Sequence, residues 1–333
     1  MTEKEQQVPL LYTDLAMETA EGLGAGETSL PGVRVDTEER EITGGSVKIT
    51  TVTIETDEGA AAIGKPIGSY ITLESAAMKS GDILTHEEII LVFADKLSLL
   101  PRIKEAKSAL IVGLGNEHVT PDALGPRVAS KVLVTRFLTL DTHNVMDNLL
   151  PVCVISPGVL GTTGIETGDI IKGIVDHVKP GVIIAVDALA ARNAARVNTT
   201  IQFADTGLSP GSGMGTGRTA INEQNLGVPV IAVGVPTVIS AATLVNGSID
   251  LMISDMIKET EEGSDFYNML KNLGEAERYS LIKRLLDPYI GSMFVTPKDV
   301  DAVIDRLSNI IANALNIVLH PGVEREDINR FMY

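Results

Sequence analysis

Residues 182–187 read Val182-Ile183-Ile184-Ala185-Val186-Asp187, and this stretch decides the fold class. It is an unbroken, β-branched apolar run of strand length, which suits a strand buried on both faces. Three similar runs surround it. Residues 109–114 lead into Gly115-Asn116, residues 152–155 into Ser156-Pro157-Gly158, and residues 230–233 into Gly234-Val235-Pro236-Thr237. Helical patterns lie between some of them, at 125–138 and 169–178. This is the rhythm of βαβ units. It predicts an α/β protein with a central, mainly parallel sheet flanked by helices.

Outward from this core, at about residues 105–250, the pattern changes. Residues 33–55 alternate in β-rich runs, as in Val47-Lys48-Ile49-Thr50-Thr51-Val52-Thr53-Ile54, and read as half-exposed antiparallel strands in a smaller β-rich N-terminal part at about 30–75. Residues 85–107 predict a helix with Thr85 as N-cap and Glu88 completing a capping box. Residues 199–203 suggest a strand. The glycine-dominated segment 207–217 after it reads as a surface loop, or as one that lets backbone approach a ligand. A helical C-terminal part spans 250–333, with Thr296-Pro297 opening a last amphipathic helix to about Leu319. The polar first 30 residues, weakly periodic, read as a mobile leader.

The 333-residue chain is 44% apolar with only 4% aromatic residues, enough aliphatic mass for a sizeable core. Its net charge of −17 would repel a phosphate backbone, which argues against nucleic acid as a partner. Cys153 is the single cysteine, so no intrachain disulfide forms, and a reducing compartment fits. No basic segment leads into an apolar run near the start. No apolar stretch approaches the ~20 residues of a membrane helix. The expectation is a cytoplasmic protein without membrane association, in which the sequons at Asn198 and Asn246 are chance matches.

Open parallel sheets bind ligands outside the carboxyl ends of their strands. Two of the four loops at that edge carry an aspartate, Asp122 in Thr120-Pro121-Asp122-Ala123-Leu124-Gly125 and Asp187 after Val186. Two close carboxylates share a proton. The charged one can activate water while the neutral one polarises a carbonyl, machinery for peptide hydrolysis without a cofactor. Alternatively, each aspartate caps a following helix. His118 stands in the same loop region, so a metal site of His118, Asp122 and Asp187 is a second possibility. A non-catalytic, flavodoxin-like ligand-binding protein is a third. Other motifs fail on chemistry. Gly113-Leu114-Gly115 lacks the third glycine of a dinucleotide fingerprint, and His86-Glu87-Glu88 lacks a second zinc histidine. In Gly207-Leu208-Ser209-Pro210-Gly211, Pro210 removes the N–H that an oxyanion hole needs. Cys153 lies inside an apolar strand, where a thiol is inert.

The same loops resemble the spore germination protease family. The resemblance is carried by Gly115-Asn116 with the segment from Val119 through Val128, by Pro157-Gly158-Val159-Leu160-Gly161, by Gly164-Ile165-Glu166-Thr167, by Asp187-Ala188-Leu189-Ala190-Ala191-Arg192 and by Gly234-Val235-Pro236-Thr237. It implies a fold like that of the hydrogenase-maturation peptidases and a homotetramer without cofactor. It implies a self-processing zymogen, located in the forespore and spore core, that degrades small acid-soluble spore proteins during germination. The family's proposed catalytic aspartates fall on Asp122 and Asp187. Thr13-Asp14-Leu15-Ala16-Met17-Glu18 imitates the family's Thr-Glu-(Phe or Ile)-Ala-Ser-Glu cleavage pattern, which implies cleavage between Asp14 and Leu15. Residues 1–14 would then be a propeptide and 15–333 a single protease domain. An acidic residue before the scissile bond calls for a cation, and Arg127, Arg192 and Arg196 are candidates.

Overall fold

The computed structural model describes residues 13–24, 30–140, 149–210, 219–260, 262–271, 279–282, 284–285 and 293–322. Among them, one sheet contains β1 (Val33–Ile42), β2 (Gly45–Ile54), β3 (Gly68–Glu74), β4 (Ala109–Gly113), β5 (Val152–Ile155), β6 (Val182–Ala191), β7 (Thr200–Ala204), β8 (Val230–Ser240) and β9 (Phe294–Val295). The order is β1-β2-β3-β7-β8-β6-β4-β5, with β9 on β8. The four runs read from the sequence, β5, β4, β6 and β8, pair in parallel, as expected.

The alternating N-terminal strands are antiparallel as read, but they are not a separate layer. They continue the same sheet, with β7 pairing antiparallel to both β3 and β8. The alternation of β2 explains this. Val47 and Ile49 face the larger core, while Val52 and Ile54, on the opposite face, pack with the leader residues Leu15, Ala16 and Met17, so both sides of the strand are covered along part of its length.

Residues 182–186 of β6 are all buried. Ile184 and Val186 join the larger core beneath helices Ile83–Ser98, Leu124–Ala129 and Val300–Leu319. Ile183 and Ala185 join the opposite core with Ile171 and Val175 of helix Thr167–Val178. The helix Val300–Leu319 is long and apolar enough to cross a membrane by length and composition. Here it is a core helix, with Val303, Ile304, Leu307, Ile310, Ile311 and Leu315 fully buried.

Three local expectations are corrected. The N-cap of helix Ile83–Ser98 is Asp82, whose Oδ2 accepts from Thr85 N at 3.2 Å. Thr85 is drawn elsewhere, donating to Thr43 O at 2.8 Å, and Glu88 accepts from Thr43 Oγ1 at 3.0 Å instead of closing a capping box. The pattern at 125–138 is two helices, Leu124–Ala129 and Arg136–Leu140. Finally, the described part of the leader is docked, not mobile. Residues 13–24 include helix Ala16–Gly22, and Leu15, Ala16, Met17 and Ala20 are buried against Val52, Ile54 and Tyr70.

Candidate active site

The four parallel strands deliver their loops to one cavity of about 800 Å³. Its wall includes Leu114, Gly115 and Asn116 after β4, Gly158 after β5, Asp187 and Leu189 on β6, and Gly234 and Thr237 on β8. Both aspartates singled out from the sequence, Asp122 and Asp187, line it.

Neither aspartate caps a helix through its side chain. The N-cap of helix Leu124–Ala129 is Ala123. Asp122 ends a short 3₁₀ turn, Thr120–Asp122, and its Oδ2 accepts from Asn116 N at 2.7 Å. That turn is pinned from two sides. Thr237 Oγ1 donates to Pro121 O at 2.7 Å, and Thr120 Oγ1 donates to Asp301 Oδ1 at 2.9 Å. Glycine makes the approach possible. Gly115 has φ +110°, and a Cβ there would lie 2.0 Å from Asp122 O. Gly125 allows the next close packing, since its Cβ would fall 2.2 Å from Leu114 O and 2.5 Å from Val186 O.

Asp187 was read as the end of a strand, but β6 runs on to Ala191. Its parallel partner β4 stops at Gly113, opposite Val186. Asp187 therefore sits where β6 loses that neighbour, nine-tenths buried, with Ala188 N donating to its Oδ1 at 2.9 Å.

The other candidates separate from this pair. Arg127 points to the C-terminal helix, donating to Asp301 O at 3.4 Å, and is not on the cavity wall. Arg196 holds Glu21 with two bonds of 2.7 Å, Glu74 at 2.7 Å and Glu18 at 3.4 Å. Burial works to lower its pKa, and Glu21 and Glu74 outweigh it and raise the pKa further. Arg192 offers its backbone N–H to Glu18 Oε2 at 2.7 Å. Among the described residues no arginine lines the cavity. His118 is largely exposed, 3.6 Å from Glu117, and also lies off the wall. Among the described residues no group of three His, Cys, Asp or Glu side chains is placed to hold a metal.

Glycine-rich residues 211–218 lie outside the described residues, but residues 207–210 line the cavity. Cys153 is half-buried, and burial pushes its thiol pKa up, away from reactive thiolate.

Asp14, singled out from the sequence as a cleavage-site residue, lines the cavity, and so do three residues that sequence reading missed, Lys65, Tyr70 and Gln202. Asp14 N donates to Ala190 O at 3.1 Å, and Ala190 N donates to Asp14 Oδ2 at 2.9 Å. Gln202 Nε2 donates to Asp14 O at 3.2 Å, and its Oε1 accepts from Ala16 N at 2.8 Å. No local sequence signal marks Lys65 or Gln202, because their roles arise from tertiary contacts with the leader.

The family model described as germination protease matches residues 13–271 and 255–332. This chain belongs to the germination protease family. It is 47% identical over 324 residues to a germination protease of Clostridium tetani, covering 96% of this chain and 98% of that one. It is 48% identical over 287 residues to one of Clostridium perfringens, covering 86% and 88%. Against the germination protease of Bacillus subtilis identity is 40%, covering 96% and 95%. Among solved structures, the NiFe hydrogenase maturation protease HycI from Thermococcus kodakarensis aligns with a TM-score of 0.32 and 16% identity, over 67% of this chain and 98% of that one. Membership in the family makes the protein a peptidase.

Proposed function

We propose that this protein is an endopeptidase of small acid-soluble spore proteins, made as a zymogen that cleaves itself between Asp14 and Leu15. One observation carries the reading: Asp14, Asp122 and Asp187 line the same cavity. The leader enters, as a peptide substrate would, the cleft that both carboxylates line.

In this reading Asp122 and Asp187 work as an aspartic pair. The mechanism needs one of them charged and the other protonated, the division of roles that two carboxylates acting on one water require. The ionised member takes a proton from water, and the oxygen attacks the scissile carbonyl carbon. The protonated member donates to the carbonyl oxygen. The intermediate collapses as the carboxyl that took the water proton gives it to the leaving nitrogen and the other carboxylate takes a proton back from a hydroxyl of the intermediate, which becomes the product acid. The exposed side chains of Leu251 and Met252, on helix Ala241–Glu259, supply apolar surface for assembly as a homotetramer. The place of action is the forespore and spore core.

The test is to incubate the purified chain with a small acid-soluble spore protein and sequence the N-termini of all products. Wild type is expected to acquire Leu15 as its N-terminus and to cut the substrate, while Asp122→Asn and Asp187→Asn each lose at least ~100-fold in rate. Processing of either variant at the wild-type rate removes that aspartate from the mechanism. A chelator arm decides the chemistry. Activity that survives supports the aspartic pair, whereas loss restored by added metal returns the metal-dependent reading with His118.

A further inference from the structure

The cavity contains a cation, and it is a lysine. Lys65 follows Gly64, whose left-handed conformation (φ +71°) ends helix Asp57–Ile63 and turns the chain into the cavity wall. The turn is braced, because Tyr70 Oη donates to Pro66 O at 2.8 Å and Thr206 Oγ1 donates to Tyr70 Oη at 3.1 Å.

We propose that Lys65 and Gln202 form the subsite for the residue preceding the scissile bond, Lys65 selecting an acidic side chain and Gln202 aligning the carbonyl. This rests on the reading of the leader as a substrate-like occupant of the cleft.

The side-chain half of the argument starts from charge. Lys65 is half-buried, and burial lowers its pKa below the ordinary lysine value, while the nearby Asp14 carboxylate pushes it back up. An ammonium in such a wall needs an anion beside it. Asp14 is fixed there by the Ala190 N–H at 2.9 Å, so the carboxylate has a defined seat. When the leader leaves, the seat is emptied and Lys65 loses its compensating charge. An incoming peptide with Asp or Glu at that position restores it, whereas Asn or Gln keeps the hydrogen bond and forgoes the charge.

The main-chain half rests on geometry alone. One Gln202 amide spans the Asp14–Leu15 linkage, Nε2 on Asp14 O at 3.2 Å and Oε1 on Ala16 N at 2.8 Å. Every peptide offers these two groups, so the contact is independent of side chain. Gln202 is nearly buried and lies in cross-strand register with Gly234 of β8, which is in register with Asp187 of β6. In-register residues share a sheet face, so the amide and Asp187 stand in one row on either side of a residue without a side chain.

The test uses the full chain. Asp14→Asn and Lys65→Met are each expected to slow self-processing at least tenfold. The double variant should be no slower than the slower single, and Lys65→Arg should keep most of the rate. A second readout needs no cleavage. In the Asp122→Asn background, with lysines ¹³C-dimethylated, adding Asp14→Asn should lower the pKa of the Lys65 amine. Gln202→Met should slow processing and leave that titration where it was. Additive rate effects, or a Lys65 titration that ignores Asp14, overturn the proposal. If the titration responds to Asp14 but wild type never cleaves between Asp14 and Leu15, the electrostatic coupling of Lys65 to Asp14 stands and the substrate-like reading of the leader falls.

Discussion

Replacing Gly115 by alanine tests whether the site is built on close backbone approach. Gly115 has φ +110°, where a side chain costs about 1–3 kcal/mol of backbone strain. The new Cβ would also lie 2.0 Å from Asp122 O and 3.1 Å from Asp122 Oδ1. An ordinary contact is roughly 3.5 Å. The Asp122 turn must therefore retreat by more than 1 Å, against the bonds from Thr237 and Asp301 that hold it. A misplacement of about 1 Å in a catalytic group costs roughly 100-fold in rate. Gly115→Ala is thus expected to lower Tm by several degrees, at about 2 °C per kcal/mol in a domain of this size, and to reduce peptide cleavage about 100-fold. Gly173→Ala is the control. It lies within helix Thr167–Val178 with open space around its would-be Cβ, so it should gain about 0.5–1 kcal/mol and leave activity alone. Differential scanning calorimetry and a cleavage assay on both variants suffice. A Gly115→Ala protein with wild-type Tm and rate would refute the reasoning.

Leu15 is fully buried among Val52, Ile54 and Tyr70, so Leu15→Ala should cost about 2–5 kcal/mol of leader docking, read as faster amide exchange across helix Ala16–Gly22. Unchanged exchange would mean that the leader is held elsewhere. His320 is fully buried beside Leu133 O, and burial lowers its pKa below 6.5. The unfolded chain then binds the extra proton first, so stability is full above about pH 6.5 and falls as pH drops towards the folded pKa, by at most about 1.4 kcal/mol per unit. His320→Phe should flatten that part of the urea-denaturation profile, and an unchanged slope would assign the acid sensitivity to other groups.

Much of this was legible from residue patterns. The runs at 109–114, 152–155, 182–186 and 230–233, with helical patterns between some of them, read as buried parallel strands, and the rule that such strands open their ligand site at one edge placed Asp122 and Asp187 on one crevice. What failed was local chemistry overruled by distant partners. Thr85 and Glu88 look like a capping box, yet both serve Thr43 across the β1–β2 turn, and Asp82 takes the cap. Asp187 looked like a strand end because residues 188–191 are mostly alanine, a weak strand former. Tertiary pairing with β8 keeps β6 extended to Ala191. Of the arginines that the sequence offers as partners for an acidic residue, Arg127 and Arg196 instead reach carbonyl or carboxylate groups of other elements. Lys65 arrives from a part of the chain that carried no sign of the site.

The contacts on the two sides of the Asp14–Leu15 bond are unequal, and this bears on what a cut there would do. Downstream, the leader is anchored by apolar burial of Leu15, Ala16, Met17 and Ala20 and by Glu18, which accepts from Arg192 N, Asn193 N and Arg196. Breaking one side of a buried, charge-assisted set of that kind costs about 3–5 kcal/mol, so this segment stays. Upstream, Asp14 holds Ala190 and Gln202, and Thr13 holds Glu18 and Leu15 N, by polar contacts. Intact, these polar contacts are made by a segment tethered to the anchored helix, which keeps its local concentration high. Hydrolysis removes the tether without touching the anchor. The upstream piece must then compete as a free peptide. Cleavage would thus empty the seat of Asp14 and leave the wall around it standing.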